Sequence, residues 1–498
     1  MKKQLVISIF LCTLLILCSF STVVPLSTAV SSPPDWSDGT FQGVWSKQEE
    51  DISGSIWGVL NQGRRATCGT FSGEWDTFGG TDTGTFRGVF YGMMLVGLWD
   101  VTRTGKTTRL TGILRLNETH FSARLLNPRV GSIDISGAHD TSFLPKLTGS
   151  YGVGVKTIHL IDASRSENFT IDPTDVREMM VRLWYPIETS DLGTRTDYMD
   201  YSTFQWLKNR SPIPLITIPN NAYLFVRPHG SNDMTIAKGM FPLVVFSPGY
   251  DGVYQIYTSF IEDLVSHGFV VASINHPYVS GITTFPDGHT IGLAEVPIDP
   301  VARSAFFNMS LRTIAGDAKF ILNIITEMNE TDPDFCGHFD LSRVGMYGHS
   351  FGGANTAVCC FEDARFRAGL TLDGVFYQQF IPGNITTPFF FMFAEARLAN
   401  DSTIMYLWNH TINDTFKMNI LGSTHYAFTD VGVLLSHLLP LIPPKLLSFG
   451  SIAPKRMVNI TRTYITVFFE VSLKGQTIET LLNLSSQFDE VQFDYKLG

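Results

Sequence analysis

Residues 344–360 read VGMYGHSFGGANTAVCC, and within them Ser350 stands between glycines in the run Gly348-His349-Ser350-Phe351-Gly352. A serine hydroxyl is a weak nucleophile at neutral pH, so acyl chemistry at Ser350 needs a base within hydrogen-bond reach and an acid to orient that base. Glycines on both sides permit the tight strand-to-helix turn that lifts a serine oxygen above a sheet at a helix N-terminus. Glycine is common here, 43 in 498 residues, so the pattern gains meaning only from what surrounds it.

What surrounds it is an alternation of buried strands and longer helical stretches beginning near "LTGSYGVGVKTIHLID" (147–162), the signature of a mostly parallel sheet. "FPLVVFSPGY" (241–250) reads as a strand running into a glycine turn, followed by Ile256, Phe260 and Leu264 on one helix face and by the strand "FVVASI" (269–274). "SLRTIAGDAKFILNIITEMN" (310–329) predicts a long amphipathic helix before the strand "RVGMY" (343–347). Further strands are expected at "AGLTLD" (368–373), "PFFFMFAE" (388–395) and "FKMNIL" (416–421).

In sheets of this kind the partners follow the nucleophile in the order acid, then histidine, each at the carboxyl end of a later strand. His425, in the Gly-Ser-Thr loop of "MNILGSTHYAF", is the expected base, whereas His437 lies in the apolar run "LLSHLLPLIPP" and is read as packed in a helix. Two acids compete. Asp373 ends one strand 23 residues after Ser350 and Glu395 ends the next, 45 residues after it, and the general habit of these sheets slightly favours Glu395. Among the other histidines, His267 is expected to cap a helix, His276 to line the cleft from a strand end, and His349 to pack beside the nucleophile. No histidine has metal-ligand spacing, and neither a cofactor nor a metal is expected.

The bulk properties agree with a large folded chain: 44% hydrophobic and 16% charged residues. It opens with two lysines, a long apolar run and then small residues, the order of an export signal, so residues 1–31 are set aside as a signal or uncleaved anchor. Without them 34 basic residues face 46 acidic ones, a balance of −12 that repels phosphate backbones and excludes nucleic acid as a natural partner. Cys68, Cys336, Cys359 and Cys360 match no zinc or redox spacing and read mainly as buried free thiols. Ten N-x-S/T sequons fit an exported surface.

Ahead of the sheet, residues 36–140 repeat themselves. "GTFQGVW", "GSIWGVL", "GTFSGEW" and "GTFRGVF" begin at residues 39, 54, 69 and 84, with Gly, a ring or Ile, Gly and a large apolar residue at alternate positions. That is the period of strands burying one face, with glycines leaving room for rings of the neighbouring strand. A meander, barrel or solenoid is expected, its tryptophans (Trp36, Trp45, Trp57, Trp75, Trp99) forming a core rather than an exposed stacking surface.

The stretches "FPLVVFSPGYDGVYQIYTSFIEDLVSHGFVVASINHP", "GHSFGGA", "RFRAGLTLDG" and "GSTHYAFTD" together resemble the secreted platelet-activating factor acetylhydrolases and their microbial relatives, within the dienelactone-hydrolase group of α/β-hydrolases. The likeness covers roughly residues 149–495 and none of the repeats. It implies an α/β-hydrolase domain over 149–498 preceded by a smaller all-β repeat domain, and a secreted or cell-surface serine ester hydrolase. Its L-D-G stretch implies Asp373 as the acid and leaves Glu395 as the runner-up. It also implies an oxyanion hole built from the backbone N–H groups of Tyr250 and Phe351. The substrate implied is a short-acyl phospholipid or small ester. "SPGY" departs from the His-Gly-Leu of the secreted acetylhydrolases toward the form seen in bacterial cutinases and polyester hydrolases.

Segments 195–238 and 277–310, rich in rings, Pro and Met, are expected to cover the cleft. The apolar run 431–447 is read as a core helix, with contact to a lipid surface as the alternative. A competing reading of another class is an inert hydrolase fold serving a cell-surface binding protein that acts through the repeats.

Overall fold

The computed structural model describes residues 40–47, 52–62, 68–77, 82–91, 94–116, 120–127, 131–139, 144–189, 193–210, 226–395, 401–438 and 448–498. The expected export segment, Trp36, and residues 211–225 and 439–447 lie outside them.

The glycine–ring alternation produces eight strands: β1 (Thr40–Lys47), β2 (Ile52–Gln62), β3 (Cys68–Asp76), β4 (Thr83–Tyr91), β5 (Met94–Val101), β6 (Lys106–Leu116), β7 (His120–Asn127) and β8 (Gly131–His139). Each pairs antiparallel with the next, and β8 returns to β1, so the meander closes into a barrel. Closure leaves no edge strand unpaired, and eight strands enclose a space that side chains can fill. Here rings fill it: Trp75 stacks on Trp99 at 5.0 Å between centroids, and Trp45 meets Trp75 edge-on at 5.4 Å. The glycines make that possible, because a Cβ on Gly73 would lie 2.5 Å from the Phe86 ring and one on Gly84 2.6 Å from Trp75 Nε1. Trp57, one residue beyond the inward-facing Ile56, is buried outside this stack.

The second sheet is built from β9 (Gly152–Ser166), β10 (Val176–Ile187), β11 (Ser231–Asn232), β12 (Phe241–Ser247), β13 (Val270–Asn275), β16 (Phe339–His349), β17 (Phe366–Leu372), β18 (Phe389–Ala394), β19 (Thr415–Ile420) and β20 (Val491–Lys496); a hairpin, β14 (Ile282–Thr284) and β15 (Thr290–Gly292), stands apart. Its order is β11-β9-β10-β13-β12-β16-β17-β18-β19-β20, and the six strands from β13 to β19 run parallel. Parallel strands buried on both faces need apolar side chains in both directions. Accordingly Val244 and Phe246 point into a layer with helices Thr258–Ser266 and Pro454–Lys474, while Leu243 and Val245 point into one with helices Pro300–Thr331 and Phe351–Glu362.

The expected strands from 241 to 421 all form, with bounds shifted by a few residues. The helix expected at 310–329 starts ten residues sooner, at Pro300, where Asp299 caps it by accepting the Ala302 N–H at 2.8 Å. Proline at the first turn loses no helical hydrogen bond, which is why "PVARSAFF" joins the helix rather than the covering segment.

Candidate active site

β16 ends at His349 and the helix Phe351–Glu362 begins at once, leaving Ser350 alone at the corner with φ 54° and ψ −114°. A positive φ strains any side chain with a Cβ, and such strain persists only where the surroundings enforce it. They do so by crowding: a Cβ on Gly348 would lie 2.2 Å from the Gly352 carbonyl oxygen, and one on Gly352 would lie 2.0 Å from that of Ser247. The turn after β12 comes equally close, since a Cβ on Gly249 would sit 3.1 Å from that of Ser350.

Asp373 follows β17, also at positive φ (46°), and its carboxylate is buried. One oxygen accepts the Ala394 N–H at 3.1 Å, and the other lies 2.5 Å from Nδ1 of His425. His425 opens a short 3-10 turn, His425–Phe428, after β19, with about a third of its side chain exposed. Asp373 accepts a hydrogen bond from the Nδ1–H, which leaves Nε2 as the basic nitrogen. Ser350, His425, Gly249 and Tyr250 all border one cavity of about 480 Å³. Glu395, the rival acid, does not reach the imidazole: its carboxylate accepts the Gly422 N–H at 2.9 Å and so braces the loop that carries His425.

The sequence read His349 only as packing beside the nucleophile; its two bonds, and with them Tyr257, escaped that reading. His349 donates from Nε2 to the His425 carbonyl oxygen at 3.0 Å, and its Nδ1 lies 2.9 Å from the Tyr257 hydroxyl. Burial pushes the Tyr257 phenol above its usual range, so it stays protonated and donates. The ring of His349 lies 4.5 Å from that of His425. The one legible hint was a polar residue directly before the serine, at the end of an otherwise apolar strand.

The backbone N–H groups of Tyr250 and Phe351 have no acceptor among the described residues. Unpaired donors beside a nucleophile are what a developing oxyanion requires. Tyr250 is wedged by its ring against Phe307 and Phe351, at 5.1 and 6.1 Å between centroids.

The cavity wall is largely apolar, with Tyr198, Met199, Phe204, Trp206 and Val226 from the first covering segment and Leu434, Leu435 and Phe449 from beyond the histidine loop. At its border Arg210 grips Asp251 through two hydrogen bonds of 2.7 and 3.0 Å and lies over the Trp206 ring. The second expected cover, 277–310, contributes nothing to this wall among the described residues; its Phe306 and Phe307 buttress Tyr250 instead. His276 does not line the cleft either. It is buried, bonded to Ser247 and Asp317, because the end of β13 turns its side chain toward the helix Pro300–Thr331. His267 does cap the helix Thr258–Ser266, and its Nε2 lies 2.9 Å from Thr148 Oγ1. His437 falls within the helix Val431–Leu438. Cys359 and Cys360 are buried free thiols, while Cys336 is exposed. Among the described residues no cluster of three or more His, Cys, Asp or Glu is placed to hold a metal ion.

Comparison with known proteins places this geometry in a lineage. The profile of a family described as platelet-activating factor acetylhydrolase, isoform II, matches residues 136–290 and 311–480, well over half of the chain. A probable 1-alkyl-2-acetylglycerophosphocholine esterase of Arthroderma benhamiae is 26% identical over 51% of this chain and 66% of its own length. The platelet-activating factor acetylhydrolase of Bos taurus is 24% identical over 58% of this chain and 68% of its own. The chain spans between about half and two thirds of the length of the curated relatives it matches. Among solved structures, a ferulic acid esterase from Streptomyces cinnamoneus is 27% identical with a TM-score of 0.58, covering 70% of this chain and 98% of that one. Both likenesses imply an α/β-hydrolase fold for the large sheet.

Proposed function

The chain belongs to the platelet-activating factor acetylhydrolase, isoform II, family, and from that premise we propose that it is a serine ester hydrolase with Ser350 as its nucleophile. Ser350 Oγ attacks the ester carbonyl carbon while Nε2 of His425 takes its proton. Negative charge gathers on the carbonyl oxygen, and the Tyr250 and Phe351 N–H groups meet it. The protonated His425 then gives its proton to the departing alcohol, leaving the acyl group on Ser350. Water, deprotonated by the same imidazole, releases the acid. Asp373 holds the ring and stabilises its charged form throughout. The observation that carries this reading is the 2.5 Å bond from His425 to Asp373 beside a serine held at φ 54°.

The substrate we propose is a short-acyl phospholipid ester, as the names of the curated relatives suggest. A small carboxylic ester is the second reading. It is favoured by the largely apolar cavity, the "SPGY" turn and the likeness to a ferulic acid esterase. We also propose that residues 36–140 form a separate β domain, that 149–498 form the catalytic domain, and that residues 1–31 direct export.

Turnover of p-nitrophenyl acetate by wild type and Ser350→Ala tests the mechanism: the variant should lose about 10⁴-fold or more of the rate. Unchanged turnover would discard the serine mechanism. Micellar phospholipid against soluble ester then separates the substrates, a sharp rise at the critical micelle concentration favouring the lipid.

A further inference from the structure

Behind Ser350 lies a second serine, histidine and aspartate in hydrogen-bonded order. Ser247 Oγ is 3.0 Å from Nε2 of His276, whose Nδ1 is 2.8 Å from Asp317 Oδ2. Asp317 also accepts from Arg177 Nη2 at 2.7 Å and from Arg165 Nη2 at 2.9 Å, and Arg177 reaches on to Glu167 at 2.9 Å. Burial alone would raise the Asp317 carboxyl, but the Arg177 guanidinium and the His276 hydrogen bond overcome it and hold the group ionised. The ionised Asp317 accepts a hydrogen bond from the Nδ1–H and leaves Nε2 as an acceptor, while burial keeps the ring neutral. The Ser247 hydroxyl therefore donates to His276 and accepts from Asn355 Nδ2 at 3.2 Å. Every bond in the chain has a fixed direction.

The residue types and order are those of a nucleophilic triad, yet access is missing. Ser247, His276 and Asp317 are 0%, 1% and 0% exposed, and none of them borders the cavity that Ser350 shares with His425. What the chain does touch is the scaffold of the proposed oxyanion hole. Ser247 directly precedes Pro248-Gly249-Tyr250, and Asn355 lies in the helix that Phe351 begins. Its anchors come from elsewhere in the fold: Asp317 from the helix Pro300–Thr331, His276 from the end of β13, Arg177 from β10.

We propose that Asn355, Ser247, His276 and Asp317 form a buried positioning chain that fixes the turn bearing Tyr250 against the helix that begins at Phe351. Ser247 is a positioning residue and not a second nucleophile. The proposal rests on the Ser350 mechanism above. Two N–H donors on different elements stabilise an oxyanion only if their spacing is set before the reaction. Small displacements are costly there. Any drift of the Ser247 turn would strip His276 Nε2 of its partner in a dry site and leave Asn355 Nδ2 with only the Ile314 carbonyl, so the chain resists it.

The test uses the whole protein with Ser247→Ala. Hydrolysis of p-nitrophenyl acetate is normalised to sites titrated by a fluorophosphonate, and inhibition is measured with a trifluoromethyl ketone whose adduct places an oxyanion in the hole. The rate per titrated site should fall about 10- to 100-fold, KM should stay within about threefold, and inhibitor affinity should weaken in proportion to the rate. An unchanged rate per site with only a lower Tm would overturn the proposal, as would fluorophosphonate label on the Ser247 peptide of wild type. Wild type that takes no label would instead remove the serine mechanism, and this proposal with it. Should Ser247→Ala fail to fold, His276→Gln and His276→Leu replace it. Gln keeps a donor toward Asp317 and an acceptor toward Ser247, and should turn over about tenfold faster per site than Leu; equal rates would overturn the proposal.

Discussion

Two serine–histidine–aspartate arrangements are assembled around one sheet, and they differ less in bonding than in surroundings. His425 lies 2.5 Å from Asp373, and His276 lies 2.8 Å from Asp317. His425 is about one third exposed at a cavity, beside a serine strained to positive φ. His276 is sealed, and its aspartate is shared with two arginines. The contrast teaches that a histidine–carboxylate bond alone does not make a reactive site. Access and a base free to accept a proton separate chemistry from scaffolding.

The largest expected effect sharpens that contrast. On the proposed mechanism Asp373→Asn should lower kcat on a soluble ester by about 10⁴-fold with a nearly unchanged Tm, since the wrong imidazole tautomer would face the serine. Asp317→Asn should act the other way round in emphasis. Taking from the buried Arg177 one of its two carboxylates, with only Glu167 left to balance it, should cost about 3–5 kcal/mol of stability, read by urea unfolding. A stable Asp317→Asn protein would break the distinction.

A similar loss, about 3–5 kcal/mol, is expected for the barrel on Trp75→Ala, which empties the centre of its ring stack. Turnover of a soluble ester per titrated site should be unaffected. Any change in that rate would mean that barrel and catalytic sheet share more than a chain.

Asp430 gives a pH-dependent comparison close to the histidine loop. Burial pushes its carboxyl up to about 7, only partly offset by hydrogen bonds from the Ser259 N–H and the Tyr198 hydroxyl. Between the ordinary carboxyl value and about 7 the folded chain holds a proton that the unfolded chain has released, so stability falls as pH rises through that window. The fall should be on the order of 4 kcal/mol, and Asp430→Asn should flatten it while raising Tm at pH 8. The smallest effect is expected for Tyr257→Phe, which removes the donor to His349 and loosens the His425 carbonyl clamp. About a tenfold fall in kcat, some 1.4 kcal/mol, is expected, with Tm changed little.

Legibility followed the range of the interactions. The Ser350 turn was readable because strand, glycines and helix are contiguous, and the barrel strands because their period is local. Barrel closure was not, since the β8–β1 pairing joins strands about ninety residues apart and the same alternation would serve a solenoid. The acid stayed ambiguous between Asp373 and Glu395 until resemblance chose, as both end neighbouring strands at the same edge. In the folded chain one carboxylate faces the imidazole and the other braces its loop. His276 was misplaced for the same reason: a strand end states a height in the sheet, not a side.

From the chain alone came the devices that depend on neighbours: the elbow at Ser350, the order of acid and base, the one-sided glycine strands. The folded molecule was needed to say which histidine meets which aspartate, which serine opens to a cavity and which is entombed. Those are questions of direction and solvent access, and side-chain direction at the end of a strand is set by packing against elements tens of residues away, as His276 is by Asp317, rather than by the residues on either side.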